Sequence, residues 1–330
     1  MNIINLERVL SHEPKYRLKQ AKEAVFKNLI ENWLEAKVLP LDLREKLNKE
    51  CMLDINAIFS SREKEVIKSR IILEDGLSVE TVLMKHNDAR NTVCVSSAVG
   101  CLLTCTFCAT GKMGFKRNLS AMEIIEQVLF FARLLKKENA RVSNIVFMGM
   151  GEPFLNYENV LAAIRILNDK EGLNIGARHI SISTAGITEG IKKLAEEKLQ
   201  INLAVSLHAP NNDLRSKIMP INKKYYIEKI LAAVDEYIKK TKRQVMFEYI
   251  LIKDINDSDK FAHELAALVK KPLYFLNLIL YNPTGLPGFK PSSSARIKQF
   301  KEILRKNKIK FSQRFRFGEK IKAACGQLKF

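Results

Sequence analysis

The sequence predicts an α/β protein whose centre is a partial, TIM-like (βα)6 barrel, preceded by a small helical domain and a β-hairpin. Three observations support this prediction. From about residue 92 onward, strand patterns and helix patterns alternate along the chain. Most of these strands are continuous apolar runs, as expected for parallel strands that are covered on both faces. The six or seven strand–helix units occupy about 230 residues, which favours an open or partial barrel over a doubly wound sheet.

The N-terminal third predicts helices and then a hairpin. Apolar side chains recur at helical spacing in residues 16–34, and residues 41–51 predict a second helix. Residues 66–85 instead predict two strands that turn at Asp75-Gly76, a hairpin signal. The chain therefore divides into a helical accessory domain at 1–62, a β-hairpin linker at 63–91 and a core at 92–330.

The core is predicted to contain seven strands with helices between them. These strands begin near residues 92, 143, 179, 201, 244, 273 and 309. Ser120 and Glu123 form a capping-box pattern at the start of the first long core helix, and Asn156 and Ser258 are candidate N-caps of two later helices. In barrels of this kind the chemistry lies at the carboxyl ends of the strands, and the short polar motifs of this chain fall there.

The composition favours a polyanionic partner. The 330 residues carry a formal net charge of +19, and a charge of this size is typical of nucleic-acid binding. A lysine-rich proteome would produce the same balance, so charge alone leaves both interpretations open. The basic stretch 305–322 also contains Phe311, Phe315 and Phe317. That mixture suits contacts with phosphates and bases, and it equally suits a strand with one buried face.

The first 25 residues carry scattered charges, and no later apolar run approaches the length of a transmembrane helix. We therefore expect a cytoplasmic, monomeric protein without a membrane partner. In that compartment thiols stay reduced, and clustered cysteines more often bind metal or do chemistry than form structural disulfides.

Three cysteines follow the first core strand at metal-binding spacing. Cys101, Cys105 and Cys108 form a C-x3-C-x2-C pattern. Three thiolates can hold a [4Fe–4S] cluster through three irons, which leaves the fourth iron open to a small molecule. A zinc site with a fourth ligand elsewhere is the alternative. Because zinc sites usually use two separated cysteine pairs, the spacing favours the iron–sulfur cluster.

These cysteines, with an aromatic residue before the last, resemble the signature of radical S-adenosylmethionine (SAM) enzymes. From Glu80 to Leu328 the chain is also similar to the dual-specificity adenine-C2 RNA methyltransferases, which act on 23S rRNA and tRNA. The stretch EPKYRLKQAKEAVFK resembles their accessory RNA-binding domain. The motifs that carry the resemblance are CVSSAVGC, FCATGKMGF, FMGMGEP, ISTAG, SLHAP, MPIN, YNP and AACGQL.

The resemblance implies a radical SAM enzyme with a [4Fe–4S] cluster and two SAM molecules per turnover. Cys101, Cys105 and Cys108 would ligate the cluster. The residues that would hold SAM are Gly151, Glu152, Ser183, Ser206, Leu207, His208 and Asn282. The implied partners are 23S rRNA, tRNA and an electron donor such as flavodoxin or ferredoxin.

The same resemblance assigns roles to two further cysteines. Cys325 would store the methyl group as S-methylcysteine, and Cys94 would release the methylated RNA by forming a transient disulfide with Cys325. This route suits adenine C2, which lies between two ring nitrogens and is too electron-poor to attack the methyl of SAM. Glu80 matches a residue proposed to take the C2 proton, and the choice between Glu80 and Cys94 stays open. Without the resemblance, either cysteine could be an inert buried thiol.

Two alternatives remain at this point. A related class of enzymes methylates C8 of the same rRNA adenosine and causes antibiotic resistance. It shares the cluster and both extra cysteines, but it usually lacks the proline that Pro153 matches. A non-catalytic iron–sulfur or zinc RNA-binding protein would need the cysteines and the charge, but neither Glu152 nor Cys325.

Overall fold

The computed structural model describes residues 5–314, 318 and 321–329, and these begin with three helices. The helices are α1 (Leu6–Val9), α2 (Lys15–Phe26) and α3 (Leu41–Glu50). Helix α3 confirms the prediction for residues 41–51. The predicted helix over 16–34 is too long, because the backbone turns left-handed at Leu29 (φ 53°). Trp33 lies beyond it in a short 3-10 turn and is fully buried.

Three antiparallel strands follow the helices. They are β1 (Ala57–Arg62), β2 (Val66–Ile72) and β3 (Ser78–Lys85). Strands β2 and β3 form the predicted hairpin, in which Gly76 has a φ of 79° and the Asp75 side chain accepts a hydrogen bond from the Leu77 amide. Residues 57–62 form a strand instead of continuing the helical region, because they pair along the free edge of β2.

The core alternates strands and helices. Its elements are β4 (Asn91–Cys94), β5 (Ala98–Gly100), α4 (Ala109–Lys112), β6 (Phe115–Asn118), α5 (Ala121–Lys136), β7 (Asn144–Phe147), α6 (Tyr157–Asn168), β8 (Ile180–Thr184), α7 (Thr188–Glu196), β9 (Asn202–Ser206), α8 (Asn212–Ile218), α9 (Ile227–Thr241), β10 (Val245–Leu251), α10 (Asp259–Leu268), β11 (Tyr274–Leu280), α11 (Ser294–Lys306) and β12 (Phe311–Gln313).

The main sheet confirms the partial barrel. Its order is β1-β2-β3-β4-β7-β8-β9-β10-β11-β12, and every pair from β4 to β12 is parallel. Six strand–helix units therefore precede β12, and β1 and β12 remain as edges, so this sheet of the described residues does not close. The seven predicted core strands are all present. Strand β12 ends at Gln313, and the predicted Phe315 and Phe317 lie outside the described residues.

Two of the three predicted helix caps are confirmed. The Ser120 hydroxyl accepts a hydrogen bond from the Glu123 amide, and the Glu123 carboxylate accepts one from the Ser120 amide. The Ser258 hydroxyl accepts a hydrogen bond from the Phe261 amide at the start of α10. Asn156 occupies the N-cap position of α6, but its side chain does not cap the helix. Its side-chain amide donates instead to the carbonyls of Ser97 and Leu119.

A buried arginine connects the helical region to the core. Arg133 of α5 donates hydrogen bonds to the carbonyls of Ile30 and Leu53, at 2.7 and 2.9 Å. The apolar side chains of α1 to α3 belong to the same hydrophobic core as those of the barrel. Among the described residues, no helix is both long and apolar enough to cross a membrane.

Candidate active site

The cysteine loop lies directly after β5, the short strand that follows β4, the first parallel strand of the barrel. The loop runs from Cys101 to Cys108 and leads into α4. Gly111 of α4 lets the helix approach the loop closely, because a Cβ at this position would lie 3.1 Å from the main chain of Cys105. The amide and hydroxyl of Thr106 donate to the Ile218 carbonyl at the end of α8, at 3.0 and 3.3 Å. The loop is therefore fixed on both sides.

The three loop cysteines line one cavity of about 160 Å³, which we call the mouth cavity. Burial raises the pKa of Cys101 to about 12 and raises that of Cys105 well above its usual value. The charge of Cys108 also raises the pKa of both thiols, so the three sulfurs lie near one another. A bound metal centre would supply the positive charge that thiolates need here.

Within residues 5–314, 318 and 321–329, no group of three or more His, Cys, Asp or Glu side chains converges to hold a single metal ion. Cys101, Cys105 and Cys108 line one cavity. Three thiolates can hold a [4Fe–4S] cluster through three of its irons and leave the fourth iron open to a ligand, so the residues present fit this group.

Glu152 also lines the mouth cavity. Its carboxylate accepts hydrogen bonds from the Ala185 amide at 2.7 Å and from the Phe154 amide at 3.1 Å. Burial raises the pKa of Glu152 to about 7, and no described side chain forms an ion pair with it. A cationic group of a ligand would stabilise this carboxylate. Gly151 beside it has a φ of 98°, where a Cβ would also clash with Ala98 at 2.7 Å.

Two serines extend the polar wall. Ser183 near the end of β8 and Ser206 at the end of β9 both line the mouth cavity, with their hydroxyl oxygens 3.5 Å apart. The Ser183 hydroxyl donates to the buried carboxylate of Glu248 at 2.9 Å. The hydroxyls thus present hydrogen-bonding groups to the cavity from adjacent strands.

His208 also lines the mouth cavity, but its neighbour Leu207 does not. Burial first, and then the charge of Arg215, lower the pKa of His208 to about 3, so the ring is neutral. Its Nδ1 accepts a hydrogen bond from the Ile250 amide at 3.2 Å, which leaves the proton on Nε2. The ring packs edge-on against Phe107 of the cysteine loop. The Leu207 side chain is fully buried in the hydrophobic core.

Cys325 joins the mouth cavity to a smaller one of about 30 Å³, which we call the side cavity. Cys94, Asn282 and Arg314 line the side cavity with it. Both cysteines are free thiols. Burial, and then the charge of Cys325, raise the pKa of Cys94 to about 12. The structure therefore brings the two predicted thiols together, next to the cysteine loop.

Asn282 has a buried side-chain oxygen that could accept a hydrogen bond from a ligand. Its side-chain amide donates to the Cys325 carbonyl at 3.5 Å, but its Oδ1 is buried and has no hydrogen-bond partner among the described residues. Leaving such an acceptor unpaired costs about 1–3 kcal/mol. A donor from a bound molecule in the side cavity would satisfy this oxygen.

The segment that carries Cys325, residues 321–329, is anchored on the cysteine loop's own helix. The Ala109 amide donates to the Gly326 carbonyl at 2.8 Å, and the Thr110 hydroxyl donates to the Leu328 carbonyl at 2.7 Å. Since Ala109 directly follows Cys108, the position of Cys325 depends on that of the cysteine loop.

Glu80 lies outside the lining of both cavities and holds the other side of segment 321–329. One carboxylate oxygen pairs with the Lys68 ammonium at 2.9 Å, and the other accepts a hydrogen bond from the Lys329 amide at 2.8 Å. The Lys68 ammonium also donates to the Lys322 carbonyl at 3.4 Å. A buried ion pair thus contacts the segment on both sides of Cys325.

The sequence interpretation missed four charged residues at this site: Lys68, Arg215, Glu248 and Arg314. Lys68, Arg215 and Glu248 are buried, and the Arg314 side chain is 22% exposed. Arg314 forms an ion pair with Glu248 at 3.5 Å, and the charges of Cys325, Glu248 and Cys94 raise its pKa. The one signal in the sequence was a charged residue inside an apolar strand pattern, as with Glu248 in QVMFEYILI.

Known proteins share this architecture. Residues 95–266 match the Radical SAM superfamily. The chain is 47% identical to "Probable dual-specificity RNA methyltransferase RlmN" of Dictyoglomus thermophilum, over 96% of this chain and 91% of that protein. It is 45% identical to "Ribosomal RNA large subunit methyltransferase N" of Nitrosopumilus maritimus, over 88% of this chain and 86% of that one.

A solved structure is similar over the whole chain. The crystal structure of a radical SAM methyltransferase from Sphaerobacter thermophilus superposes with a TM-score of 0.94 at 43% identity, covering 100% of this chain and 98% of that one. The fold, the cysteine loop and the sequence similarity agree. The chain belongs to the radical SAM superfamily and, within it, to the family of RlmN-type dual-specificity RNA methyltransferases.

Proposed function

We propose that this chain methylates C2 of a specific adenosine in 23S rRNA and of the adenosine 3′ of the anticodon in tRNA, with the methyl group carried on Cys325. The observation that carries the proposal is the position of Cys325. It lines the cavity that holds the cysteine loop and also the cavity that holds Cys94. A single sulfur can therefore face the cofactors on one side and a second thiol on the other.

Cys101, Cys105 and Cys108 would ligate the [4Fe–4S] cluster, and Glu152, Ser183, Ser206, His208 and Asn282 would bind SAM. Glu152 suits the ammonium group, because no described side chain supplies a cation to its buried carboxylate. Ser183, Ser206 and the neutral His208 can bind hydroxyls or ring nitrogens of the nucleoside. When bound, the cluster and SAM supply the carbon-centred radical that activates the stored methyl group.

Cys325 and Cys94 perform the covalent steps. The Cys325 thiolate first takes a methyl group from SAM, so that a carbon–sulfur bond forms and S-adenosylhomocysteine leaves. After activation, the carbon on Cys325 bonds to adenine C2 and links RNA to protein. The adduct then gives up the C2 proton and one electron, and the electron returns to the oxidised cluster. The Cys94 thiolate then attacks the Cys325 sulfur, so that a sulfur–sulfur bond forms and the carbon–sulfur bond breaks. The released carbon keeps the electron pair of that bond and takes up a proton, which makes it the methyl group of the departing RNA. Cellular thiols reduce the resulting disulfide.

The C2 proton needs an acceptor before the RNA can leave. Cys94 lies beside Cys325 in the side cavity. Glu80 has both carboxylate oxygens engaged, by Lys68 and by the Lys329 amide. Segment 321–329 would have to move for Glu80 to face a base, so this geometry favours Cys94 as the acceptor.

The test uses two cysteine variants and a control. Cys325→Ala should abolish methyl transfer, and Cys94→Ala should accumulate RNA covalently linked to the protein on a denaturing gel. Cys51→Ala serves as the control, because Cys51 is buried in the helical region away from both cavities. Normal turnover by Cys325→Ala would overturn the proposal.

Mass analysis of digested product RNA decides between the two methylation sites. We expect 2-methyladenosine in both RNA classes. Pro153 follows Glu152 in the buried turn, where the C8-methylating class usually lacks proline. Appearance of 8-methyladenosine alone would replace the C2 proposal with the antibiotic-resistance activity.

We also infer that the protein acts in the cytoplasm as a monomer and receives electrons from a flavodoxin or ferredoxin. The support is chemical: the cofactor chemistry needs an electron, and the Cys94–Cys325 pair needs a reducing compartment to be reset. Sedimentation of the holoenzyme tests the monomer, and SAM cleavage with purified flavodoxin or ferredoxin as the electron source tests the donor.

A further inference from the structure

Arg215 is a fully buried cation behind the cysteine loop. It lies in α8, and its side chain has 0% exposure. Its guanidinium donates five hydrogen bonds of 2.6–3.1 Å. The acceptors are the carbonyls of Ala185, Ser206, Leu207 and Tyr225 and the side-chain oxygen of Asn222.

Every one of these acceptors is neutral, and no described carboxylate forms an ion pair with Arg215. Burying a charge is costly unless an opposite charge compensates it, so arginines in protein interiors are usually paired. Burial lowers the pKa of Arg215 to about 10, which still leaves the group charged at neutral pH. The hydrogen bonds satisfy its protons but leave its charge without a partner.

The cysteine loop is where a compensating charge would lie. The packing of α8 shows this. Thr106, next to Cys105, donates twice to the Ile218 carbonyl in the same helix as Arg215. Leu214 and Ile218 of α8 pack with the three cysteines in one apolar cluster.

We propose that Arg215 is the buried counter-charge of the [4Fe–4S] cluster and raises the cluster's reduction potential. The inference rests on the proposed function in that it requires the cluster at Cys101, Cys105 and Cys108. An oxidised [4Fe–4S] centre with three thiolate ligands is an anion, and reduction adds a further negative charge. A fixed cation in a low-dielectric interior therefore stabilises the reduced form more than the oxidised form.

Arg215 also holds the ends of β8 and β9, so a structural role must be separated from the electrostatic one. The Arg215→Lys variant keeps the charge but loses most of the hydrogen bonds. Arg215→Met removes both, and Arg215→Gln keeps some hydrogen bonding without charge. Arg133→Met is the matched control, since Arg133 is also buried and also bonds main-chain carbonyls, but far from the cysteine loop.

The measurement is a redox titration of each anaerobically reconstituted holoenzyme, followed by the electron paramagnetic resonance signal of the reduced cluster. In the Met and Gln variants we expect the equilibrium constant for reduction to fall at least tenfold, a shift of about 59 mV to more negative potential. Arg215→Lys and Arg133→Met should keep the parent potential, even where their melting temperatures fall.

Loss of iron from both neutral variants, with full iron content in Arg215→Lys, would also support the counter-charge. Equal iron content and equal potentials in all the variants would overturn it. The result is independent of methylation. A protein that made no 2-methyladenosine would leave the potential comparison unaffected, whereas equal potentials would remove the role of Arg215 and leave the methylation proposal standing.

Discussion

At the residue scale, the two thiols of the side cavity have unequal environments. Cys94 is 7% exposed in a strand, and burial raises its pKa to about 12. Cys325 lies on segment 321–329, is partly exposed and lines the larger mouth cavity as well. Only thiolates are nucleophilic, and their fraction falls tenfold for each pH unit below the pKa. The two cysteines are therefore suited to different steps.

Iodoacetamide should reveal this difference. We expect Cys325 to be alkylated at least tenfold faster than Cys94 at pH 7.5, and the Cys94 rate to rise about tenfold per pH unit between pH 7 and 9 as its thiolate fraction grows. Peptide mapping by mass spectrometry of a labelling time course measures both rates. Fully buried Cys51 serves as the unlabelled reference. Equal labelling of Cys94 and Cys325 would contradict this prediction.

Glu152 should determine how SAM is held. A hydrogen bond to a charged group contributes about 1.5–3 kcal/mol, so Glu152→Gln should weaken SAM binding at least tenfold. Equilibrium dialysis with the holoenzyme measures the affinity. Methylthioadenosine is the matched control ligand, because it lacks the amino-acid part of SAM and should bind both proteins equally. The prediction fails if SAM affinity is unchanged or if both ligands weaken alike.

The sequence predicted residues of this site when they stood in local motifs, and missed those whose partners are distant. The spacing of Cys101, Cys105 and Cys108 is a local property of eight residues. Arg215 instead donates hydrogen bonds to main-chain carbonyls at the ends of two strands, β8 and β9. Lys68 meets Lys322 across 254 positions of chain. No local pattern records such contacts, because packing alone creates them.

At the scale of elements, the core strands were predictable because parallel strands buried on both faces must be apolar throughout. The ends of elements were harder. Helix α2 stops at Phe26 although apolar spacing continues to Trp33, since the left-handed backbone at Leu29 breaks the helix. Strand β1 was missed because an edge strand is stabilised mainly by its partner, here β2.

The β2–β3 hairpin also helps to hold segment 321–329, a role that its sequence did not predict. It contributes the Lys68–Glu80 pair, which holds the main chain of segment 321–329 at Lys322 and Lys329. Breaking a buried pair leaves an uncompensated charge and costs about 3–5 kcal/mol. The segment that carries Cys325 therefore depends on β2 and β3 for its position.

Lys68→Met should release segment 321–329. We expect the amides of residues 323–329 to exchange hydrogen at least tenfold faster, and S-methylation of Cys325 to slow, as measured by mass spectrometry. Lys85→Met is the control, because Lys85 lies on β3 but pairs with the exposed Glu138. Exchange in Lys68→Met that matched the parent protein would show that the ion pair does not anchor the segment.

At the scale of the whole molecule, the net charge of +19 has a direct consequence for RNA binding. Each phosphate that a protein neutralises releases counterions, so affinity falls with added salt. The helical region and the barrel share one hydrophobic core and are joined through Arg133.

The target base must be unstacked from the RNA to reach a cavity inside the barrel. This requirement favours recognition of the RNA by its shape and backbone charge.

We therefore expect tRNA binding to weaken at least tenfold between about 50 and 200 mM salt. Filter binding or fluorescence anisotropy with the holoenzyme measures the affinity. Single-base changes outside the target loop should alter it less than this salt step does. Affinity that stayed constant across the salt series would contradict a phosphate-dominated interface.

The bonds from Ala109 and Thr110 to the carbonyls of Gly326 and Leu328 link segment 321–329 to the cysteine loop. Because Ala109 directly follows Cys108, these bonds couple the order of this segment to that of the loop. We therefore expect removal of the iron to make segment 321–329 more sensitive to proteases.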